Sequence, residues 1–455
     1  MPVQGDSLVP QPWEGPYDFI LENGLQVIFA RRANSPIVEL RFVMGGGFAA
    51  DPDGKSGLAA LAIAMFSEGL LRVDSVQVGL AGDAAAAELQ GQLTADAAVL
   101  GISALSANFV DTLRIFVSAL THPEFKTEEF EELRANRLAE IADERLNSFV
   151  LPLRVLPSML YEQGDLYARP LTGSGIEAEV ATITADDLRA YFNRHLVPQG
   201  NTLVVTGSCE GAHLRAQLDE AFREWRAALP VAPIAPASDG PPNVASVRII
   251  NRPGASQTVL AAGLRTMARN STRAEALMVA DTILSGNFTS RLNLNLREEK
   301  GWTYGVRSQL LDGRGQGFWL LRTVVRSDCA AAALAEIAGE IEKLADRRLL
   351  TTEEFSRAVD YLVARMPAKY ETCAQMADAL AHLVIYGLPP DYLRSLADRL
   401  RRLKCDDISE TWQQILASGR PQWVVVGKAN ELFEQLRSLI PGKIEFRDAS
   451  HAELL

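Results

Sequence analysis

Imidazole is scarce in this chain. The five histidines, His122, His195, His213, His382 and His451, include no pair at the i, i+4 spacing that would set two ring nitrogens on one helix face. A helix-borne pair of zinc ligands is therefore excluded. Thiols are sparse as well: Cys209, Cys329, Cys373 and Cys405 lie far apart and form no C-x-x-C pair, so reduced structural thiols are expected rather than disulfides or metal ligands. No apolar stretch is long enough to span a bilayer, and the run from Leu93 to Leu105 is broken by Thr94, Asp96 and Ser103. The first residues, Met1 to Tyr17, lack a basic start followed by an apolar run, so no signal peptide is expected. The sequence as given points to the cytoplasm, or to the periplasm if a leader has been removed. Positive charge is also in deficit. Against 57 acidic residues stand 45 basic ones, a formal net charge of -12 spread along the chain, which favours solubility and argues against a nucleic-acid partner.

What the chain has is apolar content and repetition. With 455 residues and 47% hydrophobic composition it can bury more than one core. The stretch Asp186-Asp187-Leu188 leading to Leu203-Val204-Val205-Thr206-Gly207 recurs 220 residues on as Asp406-Asp407-Ile408 leading to Trp423-Val424-Val425-Val426-Gly427. Each copy reads as an acidic helix start, an amphipathic helix, a turn and a buried strand ending in glycine. Earlier parts correspond more loosely. Ser35 to Phe42 lies opposite Ser256 to Gly263, each a strand preceded by turn residues, and each is followed by a helix, Gly57 to Glu68 and Arg273 to Leu284. Thr127-Glu128-Glu129-Phe130 and Thr352-Glu353-Glu354-Phe355 both start long helices, with acidic residues in the first turn.

Between the copies, Leu229 to Pro242 holds five prolines and a glycine, which suits a semi-rigid linker. The expected organisation is a domain over 1–228, a linker over 229–244 and a second domain over 245–455. Strands before and after long helices imply an α+β fold of two homologous domains, each a mainly antiparallel sheet packed with helices.

Gly54-Lys55-Ser56 ends like a phosphate-binding loop, but the glycine that loop needs five residues earlier is Ala49 here. Asp51-Pro52-Asp53-Gly54 reads instead as a turn. Taken without context, Arg297 reads as a helix-terminal arginine paired with Glu298 or Glu299, and Tyr304 as a tyrosine in a strand core.

Three phrases carry a resemblance: Asn23-Gly24-Leu25-Gln26-Val27 followed by a strand and Gly45-Gly46-Gly47; Leu284-Ser285-Gly286-Asn287-Phe288-Thr289-Ser290-Arg291-Leu292; and Leu296-Arg297-Glu298-Glu299-Lys300-Gly301-Trp302-Thr303-Tyr304-Gly305-Val306. Together they are similar to the pitrilysin and insulinase type of zinc metallopeptidase, the inverzincins, which include the mitochondrial processing peptidases, and the resemblance covers nearly the whole chain. In that family an H-x-x-E-H helix binds zinc, and its histidines and glutamate would fall at Ala60, Ile63 and Ala64. Alkyl groups supply neither metal ligands nor a base, so no metal is expected in this chain. The family's third ligand, a glutamate further along, would fall near Glu140 or Glu144, and the plain alternative is a solvated helical carboxylate.

The family's second signature is retained. By resemblance, Gly301 permits the turn from helix to strand, Tyr304 directs its hydroxyl at the scissile carbonyl and Arg297 contacts substrate backbone carbonyls. Lys300 and Arg291 read as a surface charge and a packing contact. The resemblance implies a subunit inactive alone, which supplies Arg297 and Tyr304 in trans to a homologous H-x-x-E-H partner holding zinc and acting on peptides. The alternatives are an inert scaffold that keeps only the fold and a peptide-binding homodimer.

Overall fold

A computed structural model describes residues 13–73, 88–123, 126–162, 164–226, 246–437 and 443–448. The expected 229–244 linker lies outside them, as does His451. The described residues form two compact units. One takes those up to Glu140 together with Gly173–Ala235 and Arg365–Ser395, and the other takes Ile141–Thr172, Pro236–Ala364 and those from Leu396 onward.

The first unit is built on a six-stranded sheet of β1 (Glu14–Ile20), β2 (Gln26–Arg31), β3 (Ile37–Gly45), β4 (Glu88–Leu93), β5 (Ala97–Leu105) and β6 (Thr202–Gly207), in the order β1-β2-β6-β3-β5-β4. The second sheet contains β7 (Ser246–Asn251), β8 (Gln257–Met267), β9 (Thr303–Leu311), β10 (Gln316–Arg326), β11 (Gln422–Gly427) and β12 (Lys443–Asp448), in the order β12-β7-β11-β8-β10-β9. β7, β11, β8, β10 and β9 stand where β2, β6, β3, β5 and β4 stand, so the duplication expected from the sequence is present in three dimensions. Most pairings are antiparallel; β2 with β6, and β7 with both β11 and β12, run parallel. The outer strand beside β2 or β7 differs. β1 precedes its neighbour in the chain and runs antiparallel to it, whereas β12 arrives from the end of the second unit and runs parallel.

The repeated phrases form the elements their pattern predicts. The helix Ala185–His195 opens on a capping box in which Thr184 and Asp187 bond each other's backbone N–H, and it leads into the fully buried β6. Its counterpart Cys405–Ser418 leads into β11, also buried at every position. On one face of the second sheet Trp319 of β10 meets Trp412 of that helix edge to face, at 5.5 Å between ring centres, and the Trp412 indole donates to the Ile341 carbonyl at 2.8 Å. Both rings are completely buried, and each contributes hydrophobic stabilisation of roughly 2–3 kcal/mol.

Each sheet has one face covered by a helix from the opposite half of the sequence. Cys373–Tyr386 packs on β3 and β6 of the first unit, and Leu151–Leu160 packs on β8 and β11 of the second.

Candidate functional site

In the first unit the helix Leu58–Val73 is capped by Asp51, whose two carboxylate oxygens accept from Gly57 N at 2.7 Å and Ala59 N at 2.8 Å. Ala60 and Ile63 are buried and Ala64 is half-buried. Ile63 lies against β4 so closely that a Cβ at Gly91 would come within 2.7 Å of its Cγ2. The three positions are therefore packing positions. Zinc does not fit them, because none offers a lone pair. Glu140 is exposed and pairs with Arg137 at 2.8 Å, while Glu144 is half-buried and pairs with the buried Arg154 at 2.5 Å. Among the described residues no group of three or more His, Cys, Asp or Glu side chains could hold a metal ion. His122 and His213 are exposed, His382 stacks edge-on against Tyr386, and His195 is buried, where desolvation pushes it down to about 4.

In the second unit the corresponding helix is short. Ala274–Asp281 passes into a π-helical turn, Thr282–Gly286, and a second π-helical stretch, Asn293–Glu299, precedes β9. Such widened turns displace side chains from the regular helical stripe and often mark functional sites. Gly301, with φ of +63°, supplies the left-handed conformation that turns the chain out of the second stretch and into β9. The turn is closed by Lys300 N to Asn295 O at 3.1 Å and Trp302 N to Leu296 O at 2.9 Å.

Buried Asn293 fixes the start of β9. Its Oδ1 accepts from Val306 N at 2.9 Å, and its Nδ2 donates to Val306 O at 3.0 Å. Further along, Ser308 donates to Asp281, which also accepts from the Trp319 indole at 2.8 Å. Burial raises the Asp281 carboxyl above its usual range, and these two donors hold it back.

Between Thr303 and Val306 the register with β10 slips: Thr303 stands opposite Val325 and Val306 opposite Thr323, leaving two residues opposite one. Tyr304 and Gly305 form this bulge. Thr303 and Val306 both face the helices, as the 2.9 Å contact between the Thr303 and Thr323 hydroxyls shows, so Tyr304 is turned to the other side. There it is 94% exposed, which sets aside the strand-core reading. Arg297, about one-third exposed, is held by Glu298 at 3.2 Å and lies 4.8 Å from the ring centre of Phe288, itself exposed. The side chain thus retains exposed N–H donors while its position is restricted from two sides.

Arg291 is a packing contact. Its Nε and Nη2 bond Glu354 at 2.7 and 3.0 Å, and Nη2 also reaches the Leu349 carbonyl. Burial would raise the Glu354 carboxyl, but Arg291 and Thr351 bring it below its ordinary value. Lys300 bonds Asn295 at 2.5 Å and pairs with Glu336 at 3.3 Å, so it is tied to its own unit. Phe288 and Asn293 had no assigned role in the sequence; the Asn-x-x-Ser-Arg-Leu-Asn spacing shows no backbone clamp until β9 is in place.

A duplicated α+β fold without metal ligands on its signature helix defines the class. A sequence profile described as the peptidase M16 inactive domain matches residues 182–362. The crystal structure of a peptidase M16 inactive domain from Pseudomonas fluorescens superposes with a TM-score of 0.82 at 21% identity, covering 90% of this chain and 97% of that one. A protease from Helicobacter pylori gives 0.79 at 16% identity, covering 90% and 99%. An uncharacterized zinc protease of Streptomyces coelicolor is 24% identical over 275 residues, 58% of this chain and 59% of the relative. One from Mycobacterium tuberculosis is 32% identical over 146 residues, 31% of this chain and 32% of the relative. The alignments thus span less than two thirds of these curated relatives. The chain is thus similar over residues 182–362 to the inactive domain of M16 peptidases, and in part to zinc-protease relatives. No helix among the described residues is long and apolar enough to cross a membrane.

Proposed function

We propose that this chain is the non-metal subunit of a two-chain zinc endopeptidase, and that Arg297 and Tyr304 act in trans on peptide held against a partner that carries H-x-x-E-H. The observation that carries this reading is Tyr304, a phenol 94% exposed on a bulge of β9, on the strand that follows the helical stretch in which Arg297 is held by Phe288 and Glu298. Packing gives no reason for that exposure, whereas contact with a substrate does. Hydrolysis of an amide builds negative charge on the carbonyl oxygen, and a fixed O–H donor stabilises that charge more in the transition state than in the ground state. Arg297 donates to neighbouring backbone carbonyls, which are the same in both states. The chain's own packed Ala60, Ile63 and Ala64 support an assignment of the hydrolytic chemistry to the other subunit.

The test is reconstitution with an H-x-x-E-H chain of similar length, sought first in the neighbouring open reading frame. Tyr304→Phe keeps the ring and removes one donor, so turnover should fall by about 100-fold, mainly in kcat. Arg297→Ala should raise KM as well. Unchanged turnover in both variants, with the heterodimer intact by sedimentation, would leave this chain a scaffold. Self-association with no second chain, together with peptide binding, would favour the homodimer.

A further inference from the structure

The register of β9 on β10 sets Arg307 directly opposite Arg322. Both project from the face of the second sheet that carries Tyr304, since Ser308 and Val306 on either side of Arg307 point to the helices. Like charges directly opposite on neighbouring strands repel, and sheets ordinarily place a carboxylate between them. Here, among the described residues, neither guanidinium has an ion-pair partner. Arg322 is half-buried, donates to the Phe149 carbonyl at 3.1 Å and lies 4.3 Å from the centre of that ring. Arg307 is exposed, and its side chain makes no hydrogen bond among the described residues. Their strand neighbours on this face, Gln309 and Leu320, add no negative charge.

We propose that Arg307 and Arg322 form a carboxylate-binding pair that selects peptides with an acidic group about three residues from the bond presented to Tyr304. Two planar guanidiniums on adjacent strands can both donate to one carboxylate, and anchoring of Arg322 by Phe149 fixes one of them in advance. The separation follows from strand geometry: Tyr304 and Arg307 are three residues apart on one face, roughly 10 Å. Because the chain as a whole is strongly acidic, selection of an acidic group needs such a local pair. Burial also holds the Arg322 guanidinium below its ordinary range, as expected of a cation whose counter-charge is absent. The peptide part of this inference rests on the proposed function; the carboxylate pair itself does not.

The test uses the full chain and three ten-residue peptides of Ser, Thr and Val carrying a neutral fluorophore. One has a single central Glu with both ends blocked, one has Gln there with both ends blocked, and one has Gln with a free C-terminal carboxylate. Anisotropy titrations should show the Glu peptide binding about tenfold more tightly than its blocked Gln counterpart, the scale of one charge-assisted contact. Arg307→Gln should abolish the preference, Arg307→Lys should restore part of it, and Tyr304→Phe should leave the Glu-to-Gln ratio unchanged. Tighter binding of the free C-terminus than of internal Glu would assign the pair to a terminal carboxylate. Equal affinity for all three peptides would overturn the carboxylate pair and leave the peptide-holding reading in place. If no peptide binds the chain alone, a glutarate titration followed by arginine side-chain NMR decides the pair, and the peptide-holding reading is decided by the reconstitution above. Glutarate binding lost in Arg307→Gln upholds the pair, and absence of glutarate binding to the wild-type chain overturns it.

Discussion

The two sheets share their order from β2 to β4 and from β7 to β9, yet they differ in where they leave arginine unpaired on the face covered by a helix from the other half of the sequence. In the first unit Arg41 is 1% exposed and fully answered: it bonds Glu39 at 2.8 Å, Asp378 of the covering helix at 2.9 Å and its own neighbour's carbonyl. Ser103, across the strand pair, completes Glu39 at 2.9 Å, and Gly101 opposite Arg41 leaves the space for the guanidinium. In the second unit the position matching Arg41 is Ala261; on the same face Arg248 of β7 pairs with Glu445 at 3.0 Å, whereas Arg307 of β9 and Arg322 of β10 have no ion-pair partner among the described residues. A charge that is sealed in must be paired, since an unpaired one would cost several kcal/mol, whereas one left at the open end of the face can wait for a ligand. The same division runs through the signature helices. The one in the first unit is regular and apolar at Ala60, Ile63 and Ala64, while the one in the second is widened and leads to an exposed tyrosine.

The largest effect expected from breaking this arrangement comes from separating the halves. A fragment 1–228 lacks Cys373–Tyr386, which covers β3 and β6, and a fragment 245–455 lacks Leu151–Leu160, which covers β8 and β11. Each alone would expose an apolar sheet face, so each should be insoluble or lack dispersed amide resonances when expressed singly. Co-expression should recover a soluble pair that co-elutes at the mass of the whole chain. Two stable, well-dispersed separate fragments would show that the covering helices contribute little.

Next in size is Arg41→Leu. It leaves Glu39 buried without its cation, and breaking one side of a buried pair costs about 3–5 kcal/mol. Urea unfolding should show that loss, and adding Glu39→Leu should recover a large part of it, because an apolar pair of similar volume replaces the ion pair. A single-variant loss below about 1 kcal/mol would mean that water reaches the network and that the two faces differ less than their pairings suggest.

Much of the fold was legible in the sequence. The offset of 220 residues between the Asp-Asp helix starts and the Gly-ended strands holds for β6 and β11, because a helix start and a buried strand are local patterns. The expected helix from Arg273 to Leu284 changes into a π-helical turn after Asp281, which no apolar period announces. The exchange of covering helices was not legible either, since an apolar stripe shows that a helix is covered but not by which sheet. For the site, the motif around Arg297 and Tyr304 was visible, but the exposure of Tyr304 depends on a two-against-one register with β10. The facing of Arg307 and Arg322, fifteen positions apart in sequence, depends on the same register.

The smallest effect sharpens the comparison most. Arg307 is exposed, has no ion pair among the described residues and stands opposite another guanidinium, so its charge should contribute nothing to folding. Arg307→Thr keeps a strand-forming residue and removes the repulsion. Stability should be unchanged or raised by up to about 0.5 kcal/mol, the scale of a like-charge cross-strand pair. Any gain should shrink as salt is added, because exposed charges are screened over about 10 Å at 0.1 M ionic strength. Urea unfolding at low and moderate salt measures both quantities. A loss of more than about 1 kcal/mol would mean that Arg307 has a structural partner in the folded chain, in which case its guanidinium is already engaged and the argument for an external carboxylate loses its basis.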